Sequence, residues 1–318
     1  MANLAALLSR RRNCSSRAQL ILVTAFALAA ILLGLAIIVN SAIFTENLAT
    51  RSENVESTEA LEYRQGVTQF TGEVIDFANE HNHTSHETIR DNVTIGIEDT
   101  NRYTGVMSSE DGAGLSVTFD DYTDGARIFQ DTGDDFANNQ SEPDWTLAED
   151  IENTRAFTLN TTEIGPGTFT VVAADSASTD EWRLDIEEDE IEVTHQGETE
   201  SCDYDVADVD LTSGTVNGET CPALIDTENG EPMQFAAGFD EYDIRFEDGD
   251  VIREGNFSLV VDDDDVDTIR DDDYAEIDGP GDGPYVRPAM YSARLGLEYE
   301  TSRVNYETDV FVAPGEIR

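Results

Sequence analysis

Apolar residues crowd into one uninterrupted run, Leu20-Ile21-Leu22-Val23 through Ile37-Ile38-Val39, and no charge falls between Ala18 and Thr45. About 20 apolar residues cross a bilayer as a helix, so the pattern predicts a transmembrane helix over 19–45. After it the spacing turns amphipathic. Val55, Leu61, Tyr63, Val67, Phe70, Val74 and Phe77 recur mostly at three- and four-residue steps, which predicts a helix from Glu53 to about Ala78. A polar break, Asn79 to Ser85, separates it from a second helix, His86 to about Met107, with Ile89, Val93, Ile97 and Tyr103 as its apolar positions.

Beyond Gly112 the period shortens to two. Alternation marks strands at 115–119, 155–159, 168–172, 181–186, 191–193, 242–246, 256–261, 293–299 and 304–306, separated by Gly, Asp, Asn and Pro clusters. Such spacing suits an antiparallel sheet or sandwich with one polar face. The expected fold class is α+β: an N-terminal transmembrane helix, a helical stalk and a β-rich extracellular head. The expected segments are a basic leader over 1–18, the membrane helix over 19–45, the stalk over 46–110 and an acidic β-rich ectodomain over 111–318.

Charge sharpens this division. The 318 residues carry a net charge of −50, and every basic side chain other than histidine is an arginine. Up to Thr45 there is no acid and there are four arginines, Arg10, Arg11, Arg12 and Arg17; the remaining 14 arginines and all 68 acids come after it. The basic end marks the cytoplasmic side. The expected placement is therefore the cell membrane, single-pass through residues 20–39 in the lipid bilayer, N-terminus cytoplasmic and C-terminal domain extracellular. So acidic a chain excludes nucleic acid as a partner, because phosphate contacts need basic patches. Abundant acid without lysine is similar to the composition of proteins from extreme halophiles, whose acidic surfaces stay hydrated in molar salt.

The junction Arg17-Ala18-Gln19-Leu20 resembles the class III signal peptides of archaeal type IV pilins and archaellins. That resemblance implies cleavage between Ala18 and Gln19, with the apolar helix left on the mature chain. The acidic residue that many pilins carry at the fifth mature position is Val23 here. The segments 17–23 and 40–50, with 297–306 and Val312-Ala313-Pro314-Gly315, look like those of uncharacterised haloarchaeal pilin-like membrane proteins. The resemblance implies placement and kinship, with pilin-like subunits or membrane helices as partners. Within the apolar run, Ala30 and Gly34 form a small-x-x-x-small pair of the kind that lets membrane helices approach.

Of three cysteines, Cys14 precedes the apolar run, and the pair after it, Cys202 and Cys221, predicts a disulfide, worth about 3 kcal/mol in the chain-entropy picture. Sequons at Asn82, Asn92, Asn139, Asn160 and Asn256 predict glycosylation. The chemistry-bearing motifs are absent: there is no His-Glu-x-x-His, no Gly-x-Ser-x-Gly and no Gly-Lys phosphate loop. His81, His83 and His86 are read as an exposed loop, and Asp262–Asp265 with Asp267 and Asp271–Asp273 as a solvated acidic face. No catalytic, cofactor-binding or metal-binding residue is assigned, and no cofactor is expected. The expected role is structural or interactive, a pilin-like, membrane-anchored cell-surface protein of an extreme halophile and not an enzyme. The alternative is an uncleaved single-pass ectodomain that binds an envelope ligand or polymer, with or without an enzymatic activity.

Overall fold

Alternation of buried and exposed positions carries most of the described chain beyond residue 113 into strands. A computed structural model describes residues 59–81, 84–111, 113–203, 208–225, 233–263, 269, 272–276 and 283–316. The expected leader, the Ala18–Gln19 junction, the apolar stretch 19–45 and the sequon at Asn82 lie outside the described residues. The chain divides into two units, 1–62 and 63–318. The first is described only at 59–62, and the second carries both sheets.

Two helices come first, α1 (residues 59–81) and α2 (His86–Asp111). Fourteen strands come next among the described residues: β1 (Gly114–Asp134), β2 (Trp145–Ile151), β3 (Thr154–Ile164), β4 (Phe169–Asp175), β5 (Glu181–Ile186), β6 (Glu190–His195), β7 (Glu198–Asp203), β8 (Asp208–Asp210), β9 (Thr215–Val216), β10 (Glu219–Thr220), β11 (Tyr242–Glu247), β12 (Ile252–Val261), β13 (Tyr285–Glu300) and β14 (Asn305–Val312). They form an eight-stranded sheet in the order β10-β9-β8-β3-β12-β1-β13-β14 and a six-stranded sheet in the order β2-β11-β4-β5-β6-β7. Neighbouring strands run antiparallel, as in β1 with β13, β12 with β3 and β4 with β5.

The two sheets face each other across one large apolar core. Inward residues such as Ile128, Phe157, Leu159 and Leu259 from the larger sheet meet Val171, Leu184, Val193 and Ile244 from the smaller. Phe136 sits at the middle. Its ring meets Phe169 and Phe257 edge-on, with centroids 5.3 and 5.2 Å apart, and stacks on Phe246 at 5.7 Å. Burial of each such ring contributes about 1.5–3 kcal/mol. Gly255 makes room for it, since a Cβ there would stand 2.9 Å from the Phe136 ring. The two indoles find carbonyls: Trp145 Nε1 donates to Phe136 O and Trp182 Nε1 to Met233 O, both at 2.9 Å.

The helices correct the expected fold class. A stalk would leave them beside solvent, but they lie on the larger sheet. Val67, Ile75 and Ala78 of α1, with Ile89, Val93 and Ile97 of α2, pack on Val117, Leu295, Leu297, Val310 and Val312. The physical reason is the apolar stripe itself: one face of each helix needs cover, and β1, β13 and β14 supply it. Among the described residues no helix is long and apolar enough to cross a membrane. The described residues thus form a β-rich antiparallel fold with two helices laid on one sheet, in place of the expected helical stalk beneath a head.

Two asparagines fasten this layer. Asn79 Nδ2 donates to Met290 O at 3.0 Å while Met290 N–H donates to Asn79 Oδ1 at 2.8 Å. Asn101 makes the same two-way pairing with the backbone of Val117. Each carboxamide imitates a strand partner and satisfies a buried N–H and C=O together. Arg155 of β3, 0 % exposed, adds three bonds: Nη1 to Asp76 Oδ1 of α1 at 3.0 Å and to Pro314 O at 2.8 Å, and Nη2 to Met290 O at 2.9 Å.

Candidate functional site

An open cavity of about 350 Å³ lies where three chain segments meet. The first wall is the turn between β2 and β3. Asp262 holds it: Oδ1 accepts the N–H groups of Glu152 and Asn153 at 3.2 and 3.0 Å, and Oδ2 accepts Asn153 Nδ2 at 2.7 Å. The second wall is the segment Gln234–Phe239. It folds as two successive turns, Ala237 N–H to Gln234 O and Phe239 N–H to Ala236 O, both 3.1 Å. Ala236 sits at φ 54°, a left-handed conformation that a residue with a side chain seldom adopts. Phe235 anchors the segment, its ring edge-on to Trp182 at 5.0 Å and to Phe157 at 5.3 Å.

The third wall is the chain end. Glu316 Oε1 accepts the Tyr291 hydroxyl at 3.0 Å. Gly315 O accepts the N–H of Ala156 at 2.9 Å, which ties this segment to β3. Tyr242 closes the floor, its hydroxyl donating to Thr154 Oγ1 at 2.9 Å. Burial pushes the phenols of both Tyr242 and Tyr291 well above the ordinary tyrosine range, and for Tyr291 the neighbouring Glu316 carboxylate adds to it. Both phenols are therefore neutral donors at any physiological pH. The resulting lining combines carboxylates (Glu152, Glu316), carboxamides (Asn153, Gln234) and aromatic rings (Phe235, Phe239, Tyr242).

A second concavity, of about 320 Å³, is an apolar groove between the helices. Val74, Phe77 and Ala78 of α1 face Ile95 and Gly96 of α2, with Glu73 and Asn92 at its margin. Phe77 is 59 % exposed and Ile95 56 %. The His81 ring stacks on Phe77 with centroids 4.3 Å apart.

The residues singled out from sequence scatter over this frame. Cys202 and Cys221 form the disulfide, with S–S 2.07 Å. It joins β7, the edge of the smaller sheet, to the chain just after β10, the edge of the larger. Asn160 and Asn256 are exposed and directly opposite each other in the β3–β12 register. Asn139 is exposed beside Asp273, whose carbonyl accepts its N–H at 2.8 Å. Asn92 is half-buried on α2, its Nδ2 donating to Thr88 O at 2.8 Å. His81 and His86 do not converge: Nδ1 of His81 lies 3.1 Å from Phe77 O, and Nε2 of His86 lies 2.9 Å from Gly125 O on the sheet. Asp262 departs from its reading as part of a solvated face, because it fastens the β2–β3 turn. Among the described residues no group of three or more His, Cys, Asp or Glu side chains is placed to hold a metal ion.

Sequence reasoning missed the cavity. Its lining comes from stretches around 152, 234–242 and 316, and none of them carries a motif. The only local hint is Ala236-Ala237-Gly238, a turn without a preceding strand signal. No family model, curated protein or solved structure matches this chain.

Proposed function

We propose that this protein is a pilin-like structural or interaction subunit of the cell surface of an extreme halophile, held at the membrane through residues 20–39 with its acidic domain outside. The observation that carries the reading is the charge switch: four arginines, then no charge from Ala18 to Thr45, then all 68 acids. Arginine before an apolar run retains that end in the cytoplasm. The disulfide supports the outer placement of the domain, since such bonds persist in oxidising compartments. The exposed rings on the helix pair support an interaction role. In molar salt, exposed apolar surface is costlier than in dilute buffer, so Phe70, Phe77 and Ile95 are expensive to leave in water.

The test is the mature amino terminus of protein extracted from membranes, together with electron microscopy of cells with and without the gene. A start at Gln19 and a change in surface filaments are the expected results. A start elsewhere and an unchanged surface overturn the pilin-like reading. The cavity favours a second reading, an ectodomain that binds an envelope ligand, because its polar groups converge from three separate segments.

A further inference from the structure

We propose that the cavity bounded by the β2–β3 turn, Gln234–Phe239 and Glu316 binds a neutral saccharide. The proposal rests on the envelope-ligand reading and is independent of filament assembly. Its volume of about 350 Å³ falls at the lower end of the range for small-molecule sites, roughly 300–1,000 Å³. That size suits one or two sugar rings and not a folded partner. Because the cavity is open, the end of a longer glycan can enter it.

The chemistry of the lining selects the class. Glu152 and Glu316 supply carboxylate oxygens, which accept hydrogen bonds from hydroxyl groups. Gln234 supplies both a donor and an acceptor. Asn153 has a proton of its amide committed to Asp262, and its carbonyl oxygen remains an acceptor. Vicinal sugar hydroxyls are donors and acceptors together, and they match such a set. Phe239, half-buried at the margin, offers an apolar ring surface for the C–H face of a sugar. Among the described residues the lining holds two carboxylates and no arginine, a set that disfavours phosphates, sulfates and acidic polymers.

A cationic amine is the rival small ligand, since carboxylates and aromatic rings also suit it. The composition argues against it. A domain this acidic belongs in molar salt, where the Debye length is about 3 Å. Long-range attraction of a single positive charge is then weak and contested by bulk cations. Short hydrogen bonds and ring stacking keep their strength under those conditions.

The walls are fixed before any ligand arrives. Asp262 clamps the β2–β3 turn with three bonds, Tyr291 orients Glu316, and Thr154 holds Tyr242. A site whose donors and acceptors are already ordered loses less entropy on binding.

The experiment uses the full-length protein in detergent and molar KCl. Glucose, galactose, mannose and N-acetylglucosamine are titrated, and tetramethylammonium chloride is the cationic probe. Binding is read by saturation-transfer NMR and calorimetry. At least one of the sugars is expected to bind, and Gln234→Ala and Phe239→Ala are each expected to weaken it about tenfold, the effect of about 1.4 kcal/mol. Phe77→Ala in the helix groove leaves binding unchanged. Circular dichroism confirms folding of each variant, and Gln234→Ala stands as the test if Phe239→Ala does not fold. Tetramethylammonium binding without sugar binding overturns the proposal, as does sugar binding that neither variant weakens. Envelope glycans retained equally by wild type and Gln234→Ala overturn the cavity while the envelope-ligand reading stands. If glycans are not retained and no sugar binds, both fall.

Discussion

A guanidinium taken fully out of water is costly unless every part of it is met. Arg155 meets it at both terminal nitrogens, with one carboxylate and two carbonyls, while its buried Nε has no acceptor among the described residues, so its neighbours depend on it more than on Asp76. The Asp76 side chain is 55 % exposed and can return to water if the pair is broken. Arg155→Met takes that donor from the Pro314 carbonyl, while Met290 O keeps Asn79 Nδ2, and is expected to cost about 1–3 kcal/mol. Asp76→Asn keeps an acceptor beside Arg155 and is expected to cost less than about 1 kcal/mol, the range of a solvent-screened pair. Urea titration in molar KCl separates the two; equal costs would refute the asymmetry. The direction of the Asp76 shift sets the pH dependence. Burial raises the Asp76 carboxyl above its ordinary value, with Arg155 opposing, so its contribution to stability is present in acid and fades as pH rises through the raised value. The deficit of Asp76→Asn is accordingly largest at low pH.

At the scale of elements, the disulfide joins an edge of one sheet to an edge of the other. The edge of the smaller sheet is β7, and the larger sheet ends in β8, β9 and β10, none longer than three residues. Short edge strands have few ladder bonds to hold them. With a sequence separation of 19, closing this loop is worth about 3 kcal/mol. Cys202→Ser with Cys221→Ser is expected to lower stability by that order. Hydrogen exchange should rise first in 198–224, while β4, β5 and β11 stay protected. Uniform loss of protection would mean the bond holds the whole core and not its edges. The disulfide was legible because only two cysteines come after the apolar run. Strand β5 was legible at its full length because Trp182, Leu184 and Ile186 alternate cleanly with Glu181, Arg183 and Asp185. Strand β2 was not, because two buried neighbours, Leu147 and Ala148, are followed by two exposed ones, Glu149 and Asp150. Only parts of β1 and β13 were read, since bulges near Asp120 and Tyr291 shift the faces midway. The docking of α1 and α2 on the sheet was invisible for another reason: an apolar stripe says that a helix is covered, but not by what.

For the whole molecule the decisive quantity is net charge. Two carboxylates about 10 Å apart repel by about 0.4 kcal/mol in unscreened water. Summed over pairs among 68 acids, with the 14 arginines after Thr45 to offset them, such terms exceed the roughly 5–15 kcal/mol by which domains are stable. At 0.01 M salt the Debye length is about 30 Å and the pairs are felt across the domain; at 1 M it is about 3 Å and most vanish. The arginines cannot take over this task, because several are committed locally. Arg155 serves the helix layer, while Arg183 and Arg245 bridge Glu181 and Glu247 on the smaller sheet. The full-length protein is therefore expected to lose its cooperative fold below about 1 M KCl at neutral pH. Acid should substitute for salt. Lowering the pH at low salt toward the carboxylate range near 4 removes charge from the same groups, so structure is expected to return between about pH 5 and 4. Circular dichroism melts across a grid of KCl and pH test this, at dilute concentration to avoid precipitation. A fold that survives 50 mM salt at pH 7, on the order of a 14 Å Debye length, would show that packing alone outweighs the repulsion. A fold that needs molar KCl at every pH would locate the salt requirement in bound ions instead of screening.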